Sequence, residues 1–319
     1  MRNTFVDTLL KLAKEDSRIY LIYGDLGYSV IEEFQREFPD RCFNAGISEA
    51  NMVGVAAGLA MCGKLPYVYS IATFATARCY EQIRVDVCYQ NLPVRIVGIG
   101  TGLSYGSLGP THHAIEDISL MRGLPNMTVV SPADPVETKY LTIASTGQSG
   151  PIYLRLGKGG DPSLYQDNLE INEKFIIGKA LLYSDWENNN FQKITLFSTG
   201  GTLLLSTEIA DILKINHFNI RIISMHTIKP LDEKIILDSA KNSIAMFTIE
   251  EHNIYGGLGS AVAEVLSESK YDILFKRFGL PVCFHKTAGK ADYLRKKSGL
   301  DKDIITKEIQ KLALKTQTI

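Results

Sequence analysis

Apolar residues change their spacing repeatedly along the first half of the chain. Residues 5–14 place apolar side chains at helical spacing, and Ile19–Tyr23 follows as a short, continuous apolar run. The first pattern predicts an amphipathic helix and the second a buried strand. Further strands are predicted at Tyr67–Ser70, Val94–Gly98, Thr128–Val130 and Ile152–Leu156, and helices at 49–62, 76–90, 114–121 and 134–145. Apolar strands that alternate with helices indicate a parallel sheet covered on both faces.

The second half repeats this alternation after an interruption. Residues 157–163 are rich in Gly, Pro and Ser, which break regular structure. Beyond them, strands are predicted at Ile194–Phe197, Ile220–Ser224 and Ile244–Ile249, and helices at 202–215, 231–239 and 259–266. The pattern therefore predicts an α/β protein with two doubly wound domains. We place the first domain at 1–165, a linker at 166–184 and the second domain at 185–319.

Composition limits the class of protein without naming its chemistry. The chain has 319 residues, of which 45% are hydrophobic and 22% charged, and its formal net charge is −1. These values are typical of globular proteins and give no basic excess for nucleic-acid binding. The five cysteines show no CxxC spacing, so neither a disulfide framework nor a zinc site is predicted. Because no apolar run approaches the ~20 residues of a membrane span and no signal-peptide core is visible, we expect a cytoplasmic protein.

Two segments carry candidate chemistry. Glu49 follows Ser48 at the start of the predicted helix 49–62, where an acidic residue can simply complement the helix dipole. That helix is strongly apolar, however, so a buried Glu49 needs either a partner or a proton. His112 and His113 follow a glycine-rich loop. They could ligate a metal, but adjacent histidines rarely chelate one ion, and a loop histidine directed at a substrate oxygen explains the pattern at least as well.

These segments occur in an order that resembles one enzyme family. The chain resembles the C-terminal half of transketolases along essentially its whole length. The resemblance rests on the order and spacing of Gly24-Asp25-Leu26, Gly46–Glu49, Ser70–Phe74 with Glu81–Arg84, Gly109–His112 with Glu116–Arg122, Val130–Asp134, Phe197–Gly201, and Glu250–His252 with Gly256–Gly259. It implies a pyrimidine-binding domain of the thiamine diphosphate enzymes at 1–165 and a transketolase C-terminal domain at 185–319.

The resemblance implies thiamine diphosphate as the cofactor and assigns residues to its pyrimidine ring. Glu49 matches the glutamate that hydrogen-bonds a ring nitrogen and so promotes removal of the thiazolium C2 proton. Phe74 matches an aromatic residue that packs on the ring, and Leu26 matches an apolar contact in the same pocket. Asp25 matches an interface aspartate of the cofactor site. His112 matches the histidine that faces the substrate, so Glu49 and His112 are the expected catalytic residues.

The resemblance also assigns residues to the substrate. Arg2, Ser29 and Arg155 match positions that bind the substrate phosphate, a role that suits charge-assisted contacts from arginine. His112 and His113 complete the expected substrate-binding set.

Three positions depart from the family pattern. The family usually has Asp where this chain has Leu108, His where it has Gly100, and Gln where it has His113. The family aspartate reads sugar hydroxyls. We therefore expect an acceptor other than the ordinary pentose and tetrose phosphates.

A second chain is implied to complete the site. Transketolases bind the diphosphate through Mg²⁺ or Ca²⁺ in an N-terminal domain with a Gly-Asp-Gly motif followed by Asn, and Gly24-Asp25-Leu26 is not that motif. No metal ligand is therefore expected in this chain. We expect an α2β2 complex with a separately encoded N-terminal transketolase subunit that holds the metal. Small sugars are the expected substrates, with no nucleic-acid or membrane partner.

The expected activity is transfer of a two-carbon ketol unit from a ketose or ketose phosphate donor to an aldehyde acceptor. The alternatives are the β subunit of a 2-oxo acid dehydrogenase E1 component, an enzyme similar to deoxyxylulose-phosphate synthase, and a non-catalytic scaffold subunit. The Gly109–His112 loop and Glu250–His252 favour the transketolase branch over the E1 component. A synthase of the second kind is normally one long chain, and the presence of Glu49, Phe74 and His112 argues against a scaffold.

Overall fold

The computed structural model describes residues 1–167 and 174–315. In the first half, helices alternate with strands that are largely buried. The elements are α1 (Arg2–Glu15), β1 (Ile19–Tyr23), α2 (Glu32–Glu37), β2 (Cys42–Asn44), α3 (Glu49–Met61), β3 (Leu65–Ile71), α4 (Tyr80–Gln82), β4 (Arg95–Ile99), α5 (Asp117–Arg122), β5 (Thr128–Val130), α6 (Pro135–Thr146) and β6 (Ile152–Leu156). Two π-helical segments, Phe74–Arg78 and Ile83–Tyr89, flank α4.

A mostly parallel sheet organises this half. Its strand order is β10–β5–β6–β4–β3–β1–β2, and only β10 (Thr227–Lys229), which comes from the second half, runs antiparallel to its neighbour. All residues of β4 and β6 are buried, as expected for strands covered on both faces. Helices α1 and α6 pack on one face, and α3 with the π-helical segments packs on the other.

The second half builds a smaller sheet of the same kind. Its elements are β7 (Leu181–Ser184), β8 (Gln192–Ser198), α7 (Thr202–Ile215), β9 (Phe218–Ser224), α8 (Glu233–Asn242), β11 (Ala245–Asn253), α9 (Leu258–Ser267), β12 (Leu274–Leu280), α10 (Ala291–Lys297) and α11 (Lys302–Lys315). The strand order is β12–β11–β8–β9–β7, and β7 lies antiparallel on the edge. Among the described residues, no helix combines the length and the apolar character needed to cross a membrane.

The topology of the first sheet decides where a ligand can lie. β1, β3 and β4 are parallel neighbours, so their carboxyl ends meet at one edge of the sheet. The loops that leave this edge begin at Gly24, Ala72 and Gly100. In open α/β sheets, ligands bind outside the carboxyl ends of the strands. The candidate site is therefore sought at this edge.

The predicted fold class, α/β with two doubly wound domains, is confirmed. The helix predicted at 76–90 is instead α4 between two π-helical segments, a correction that changes which side chains share a face. The domain boundaries stay predictions. Within the predicted linker 166–184, residues 168–173 lie outside the described residues, and Leu181–Ser184 pairs with β9 as part of the second sheet.

Candidate active site

Glu49 is the most deeply buried of the predicted site residues that point toward this edge. It is the first residue of α3, its side chain is 2% exposed, and the Ser48 side chain makes no cap hydrogen bond. Ser70 at the end of β3 donates to Oε1 of Glu49 at 3.0 Å, and Arg78 donates to Oε2 at 2.5 Å. The buried Glu49 carboxylate therefore has a cationic partner, Arg78, and the hydrogen bonds from Ser70 and Arg78 hold its two oxygens in place.

The loop after β1 leaves room beside this carboxylate. Gly24 is buried, and a β-carbon at this position would lie 3.3 Å from Oε1 of Glu49 and 3.2 Å from the Ser70 hydroxyl. Leu26 is half-buried in the same loop. Asp25 is exposed and accepts a hydrogen bond from the Asn44 side chain at 3.1 Å. The structure thus brings Gly24 and Glu49 together and leaves Asp25 at the surface.

A row of aromatic and cationic side chains runs away from Glu49. The guanidinium carbon of Arg78 lies 4.1 Å from the ring centroid of Phe74, because the π-helical segment Phe74–Arg78 places both side chains on one side. The ring of Phe74 meets that of His112 edge-on, with centroids 5.2 Å apart, and His112 meets Tyr105 in the same way at 5.8 Å. The Lys158 ammonium lies 4.7 Å from the Tyr105 centroid and ends the row.

His112 and His113 have different environments. His112 is half-buried, its Nδ1 shares a hydrogen bond with the Thr111 hydroxyl at 2.9 Å, and burial lowers its pKa. His113 is buried, and neither of its ring nitrogens hydrogen-bonds to the described residues. Its ring centroid lies 6.1 Å from that of His285, and burial is the main cause of its lowered pKa. His112 therefore belongs to the row, whereas His113 points into the protein beside His285.

The cationic end of the row opens onto a cavity of about 500 Å³ lined by Met1, Arg2, Asn3, Lys158, Gly159 and Gly160. Arg2 is half-buried, and Lys158 is exposed. The two cations face the same space, at the far end of the row from Glu49. Ser29 is not one of the lining residues. It is exposed in the loop after β1, where its backbone N–H donates to Glu32 at 2.6 Å.

Arg155 occupies a different environment from the one its predicted role requires. It is 3% exposed, and its Nε donates to Asp117 at 2.8 Å. Its Nη2 contacts the other Asp117 oxygen at 3.2 Å and the carbonyls of Ala114 and Glu251 at 3.2 and 3.0 Å. These contacts tie β6 to α5 and to β11 of the second half. The geometry supports a structural role for Arg155. In the segment that follows β6, the exposed cation is Lys158.

Sequence reasoning missed three residues of the row. Arg78 was hidden by the assumption of a regular α-helix over 76–90. Tyr105 and Lys158 lie in glycine-rich loops without periodicity. Lys158 does stand in the breaker cluster that follows β6, and a cation in a loop at the carboxyl end of a strand is a usable signal. Within residues 1–167 and 174–315, no group of three or more His, Cys, Asp or Glu side chains could hold a metal ion.

Comparison with known proteins identifies the family. Residues 1–160 match the model of the transketolase pyrimidine binding domain, and residues 188–305 match that of the transketolase C-terminal domain. The chain belongs to the transketolase family. A relative from Methanocaldococcus jannaschii, which carries the provisional name transketolase C-terminal section, is 38% identical over 97% of this chain and 95% of its own length.

Other transketolase relatives are described as subunits. A 6-deoxy-6-sulfo-D-fructose transketolase subunit from a Clostridium strain is 36% identical over 94% of this chain and 90% of its own length. One of the subunits of an apulose-4-phosphate transketolase from Actinobacillus succinogenes is 33% identical over 96% of both chains. A solved structure described as a split gene transketolase, inactive beta4 tetramer, is 34% identical, with a TM-score of 0.87 over 98% of both chains. Family membership implies an enzyme of the thiamine diphosphate-dependent transferases.

Proposed function

We propose that this chain is the C-terminal subunit of a split, thiamine diphosphate-dependent transketolase. It would transfer a two-carbon ketol unit from a ketose or ketose phosphate donor to an aldehyde acceptor. The observation that carries the proposal is the row from Glu49 through Phe74 and His112 to Lys158. A held carboxylate stands at one end of this row, and two cations stand at the other. End-to-end similarity to transketolase subunits supports the same conclusion.

The residues around Glu49 fit the pyrimidine end of the cofactor. The buried Glu49 carboxyl group would share a proton with a pyrimidine ring nitrogen in a hydrogen bond, Phe74 offers a ring surface, and Gly24 leaves space where a β-carbon would crowd Oε1. Leu26 would add an apolar contact. Asp25, which is exposed, would lie at the edge of this pocket toward a partner subunit. When bound, thiamine diphosphate supplies the electron sink that stabilises a carbanion on the transferred unit.

Glu49 and His112 would carry the proton chemistry. Glu49 is fixed by Ser70 and Arg78, so its carboxylate keeps one orientation toward the ring it would hold. Burial lowers the pKa of His112, which favours the neutral form of its ring at pH 7. Its Nδ1 is engaged by Thr111, which leaves Nε2 to move a proton to or from a substrate oxygen. These assignments give each residue a task that matches its surroundings.

Arg2 and Lys158 would bind an anionic group of the substrate. Both side chains line the cavity at the end of the row, and a pair of cations suits a terminal phosphate or another tetrahedral oxyanion. Ser29 is retained as a weaker candidate, because it is exposed in the neighbouring loop. His113 does not line this cavity, and its ring lies beside that of His285. We therefore propose that any effect of His113 on the substrate is indirect and passes through His285.

The metal and the diphosphate would be held by a separate N-terminal subunit, most simply in an α2β2 assembly. Two of the relatives that match this chain end to end are described as subunits, which supports a split enzyme. We further propose that the complex acts in the cytoplasm on small sugars.

The alternatives have less support. Relatives described as 1-deoxy-D-xylulose-5-phosphate synthase are 34% identical, but the matched region is only 47% of their length, against 90 to 96% for the transketolase subunits. An E1 β subunit is separated by assaying pyruvate oxidation with an artificial electron acceptor. A scaffold subunit is separated by replacing Glu49, because the activity of a complex in which this chain is only a scaffold would not change.

The test uses this chain purified together with an N-terminal transketolase subunit. Ketol transfer is assayed from a ketose phosphate to a panel of aldehydes, for wild type, Glu49→Gln and the exposed control Glu81→Gln. We expect Glu49→Gln to lower kcat by about 10²–10⁴, the usual contribution of proton-transfer catalysis, and Glu81→Gln to retain wild-type activity. Full activity of Glu49→Gln, or activity only with pyruvate, would contradict the proposal.

A further inference from the structure

Tyr105 occupies space that a side chain at position 100 would otherwise fill. Gly100 has a φ of +76°, and a β-carbon built there would overlap the Tyr105 ring, with even Cζ only 2.9 Å away. Glycine at 100 is therefore required twice, by its backbone conformation and by the ring that covers it. The ring approaches the end of β4 because position 100 carries no side chain.

The surroundings of Tyr105 connect His112 with the two cations of the row. His112 meets its ring edge-on at 5.8 Å, and the Lys158 ammonium lies 4.7 Å from its centroid. Arg2 is close enough to oppose the rise in pKa that burial causes at the Tyr105 hydroxyl. Tyr105 thus stands between the histidine that would face the reacting carbon and the two cations that would face an anion.

Two buried donors beside Tyr105 have no partner among the described residues. They are Nε of Arg2 and the hydroxyl of Tyr69, whose side chain is fully buried in β3. Arg2 and Tyr105 both influence the pKa of the Tyr69 hydroxyl electrostatically, so the three polar groups lie in one region of the protein. A buried donor without a partner is costly, and the cost is relieved when a ligand or an ordered water accepts from it.

We propose that Tyr105 is a substrate-specificity residue, whose hydroxyl donates a hydrogen bond to a tetrahedral oxyanion held by Arg2 and Lys158. Tyr69 lies behind this position and supplies a second phenol hydroxyl to the same anion. The inference rests on the proposed function and extends it. The ligand class is a small sugar that ends in a phosphate or a sulfonate, since both present tetrahedral oxygens to the same donors.

The first experiment measures anion binding without turnover. Inorganic phosphate and methanesulfonate are titrated into the purified chain and into its complex with an N-terminal transketolase subunit, followed by calorimetry. Tyr105→Phe removes only the hydroxyl, and we expect it to weaken binding of the preferred anion by about tenfold, as is typical for a hydrogen bond to a charged group. Tyr89→Phe, at an exposed position, is the matched control and should leave binding unchanged. Tighter binding of phosphate or of methanesulfonate tells the two sources apart.

The second experiment separates binding from chemistry in the complex. We expect Tyr105→Phe to raise KM for an acceptor that ends in the preferred anion by about tenfold, while kcat and the KM for glycolaldehyde stay at wild-type values. Gly100→Ala should reproduce this pattern if it folds, because the added β-carbon displaces the Tyr105 ring. If Gly100→Ala does not fold, the result for Tyr105→Phe still tests the inference.

The outcomes are distinct. The inference is overturned if neither the chain nor the complex binds either anion, or if Tyr105→Phe and Tyr89→Phe bind with equal affinity. If the hydroxyl contributes to anion binding but no aldehyde accepts a ketol unit, the anion site stands and the proposed function fails. An unchanged KM in an active complex would show that Tyr105 does not contact the substrate.

Discussion

Replacing Arg155 by Met separates a structural role of this side chain from a substrate-binding one. Arg155 and Asp117 form an ion pair in which both side chains are almost fully buried, at 3% and 1% exposure. Met matches the length of the arginine stem and removes the charge. After the change, the Tyr153 hydroxyl, which donates at 2.6 Å, is the one side-chain partner that Asp117 keeps among the described residues.

The expected loss of stability follows from this burial. Removing one partner of a buried ion pair typically lowers the free energy of unfolding by about 3–5 kcal/mol, because the other charge is left uncompensated. The Glu251 carbonyl also loses the hydrogen bond from Arg155, whereas the Ala114 carbonyl keeps the Gly102 N–H as a donor. At about 2–4 °C per kcal/mol for domains of this size, Tm should fall by at least about 6 °C.

Thermal unfolding of the purified chain, followed by circular dichroism, measures the effect. Lys158→Met is the matched control, because Lys158 is an exposed cation three residues along and should change Tm little. The double variant Arg155→Met/Asp117→Asn should be more stable than Arg155→Met alone, since neither position of the pair then carries a charge. Equal Tm values for Arg155→Met and Lys158→Met would refute the structural role of Arg155 and restore its candidacy as a substrate ligand.

Three other contacts give further predictions. Arg78→Met should lower the free energy of unfolding by roughly 1–3 kcal/mol, because buried Glu49 loses its cationic partner. The control is Arg84→Met, which removes a cation from the exposed Arg84–Glu81 pair and should cost almost nothing. Chemical denaturation measures both variants, and equal midpoints would contradict the prediction. Lys158→Met should raise KM for acceptors ending in an oxyanion by at least about tenfold, while the KM for glycolaldehyde stays unchanged; parallel increases for both would place Lys158 away from the anion. Burial lowers the pKa of His226 to about 4, so below pH ~6.5 the unfolded state binds a proton that the native state excludes, and the free energy of unfolding falls by up to about 3 kcal/mol as pH falls toward 4. His226→Gln should therefore lose less stability than wild type over that range, and identical pH profiles of stability would contradict the assignment.

The central strands were predictable because burial on both faces leaves a continuous apolar run. Ile19–Tyr23, Thr128–Val130 and Ile152–Leu156 have the same bounds in the sequence prediction and in the structure. The short and edge strands were not predictable in this way. β10 has three residues and pairs with β5, which lies far earlier in the chain, and β12 is an edge strand interrupted by Lys276 and Arg277.

The site was predictable in part for a similar reason. The need for a partner at Glu49 followed from the apolar helix that begins there, but the identity of Arg78 depends on a π-helical segment that no periodicity signals. Choosing between Arg155 and Lys158 required knowing which one meets Asp117, 38 positions away from Arg155. Such long-range pairings are settled by tertiary packing, and a single sequence carries no local trace of them.

Cofactor binding by each chain and by the complex decides whether the active site is shared between two subunits. Thiamine diphosphate with Mg²⁺ is titrated calorimetrically into this chain alone, into an N-terminal transketolase subunit alone, and into the two together, with wild type and Glu49→Gln compared. A shared site predicts tight binding only by the mixture, and weaker binding when Glu49 is replaced. Micromolar binding by this chain alone, or a mixture that assembles and binds no cofactor, would contradict it.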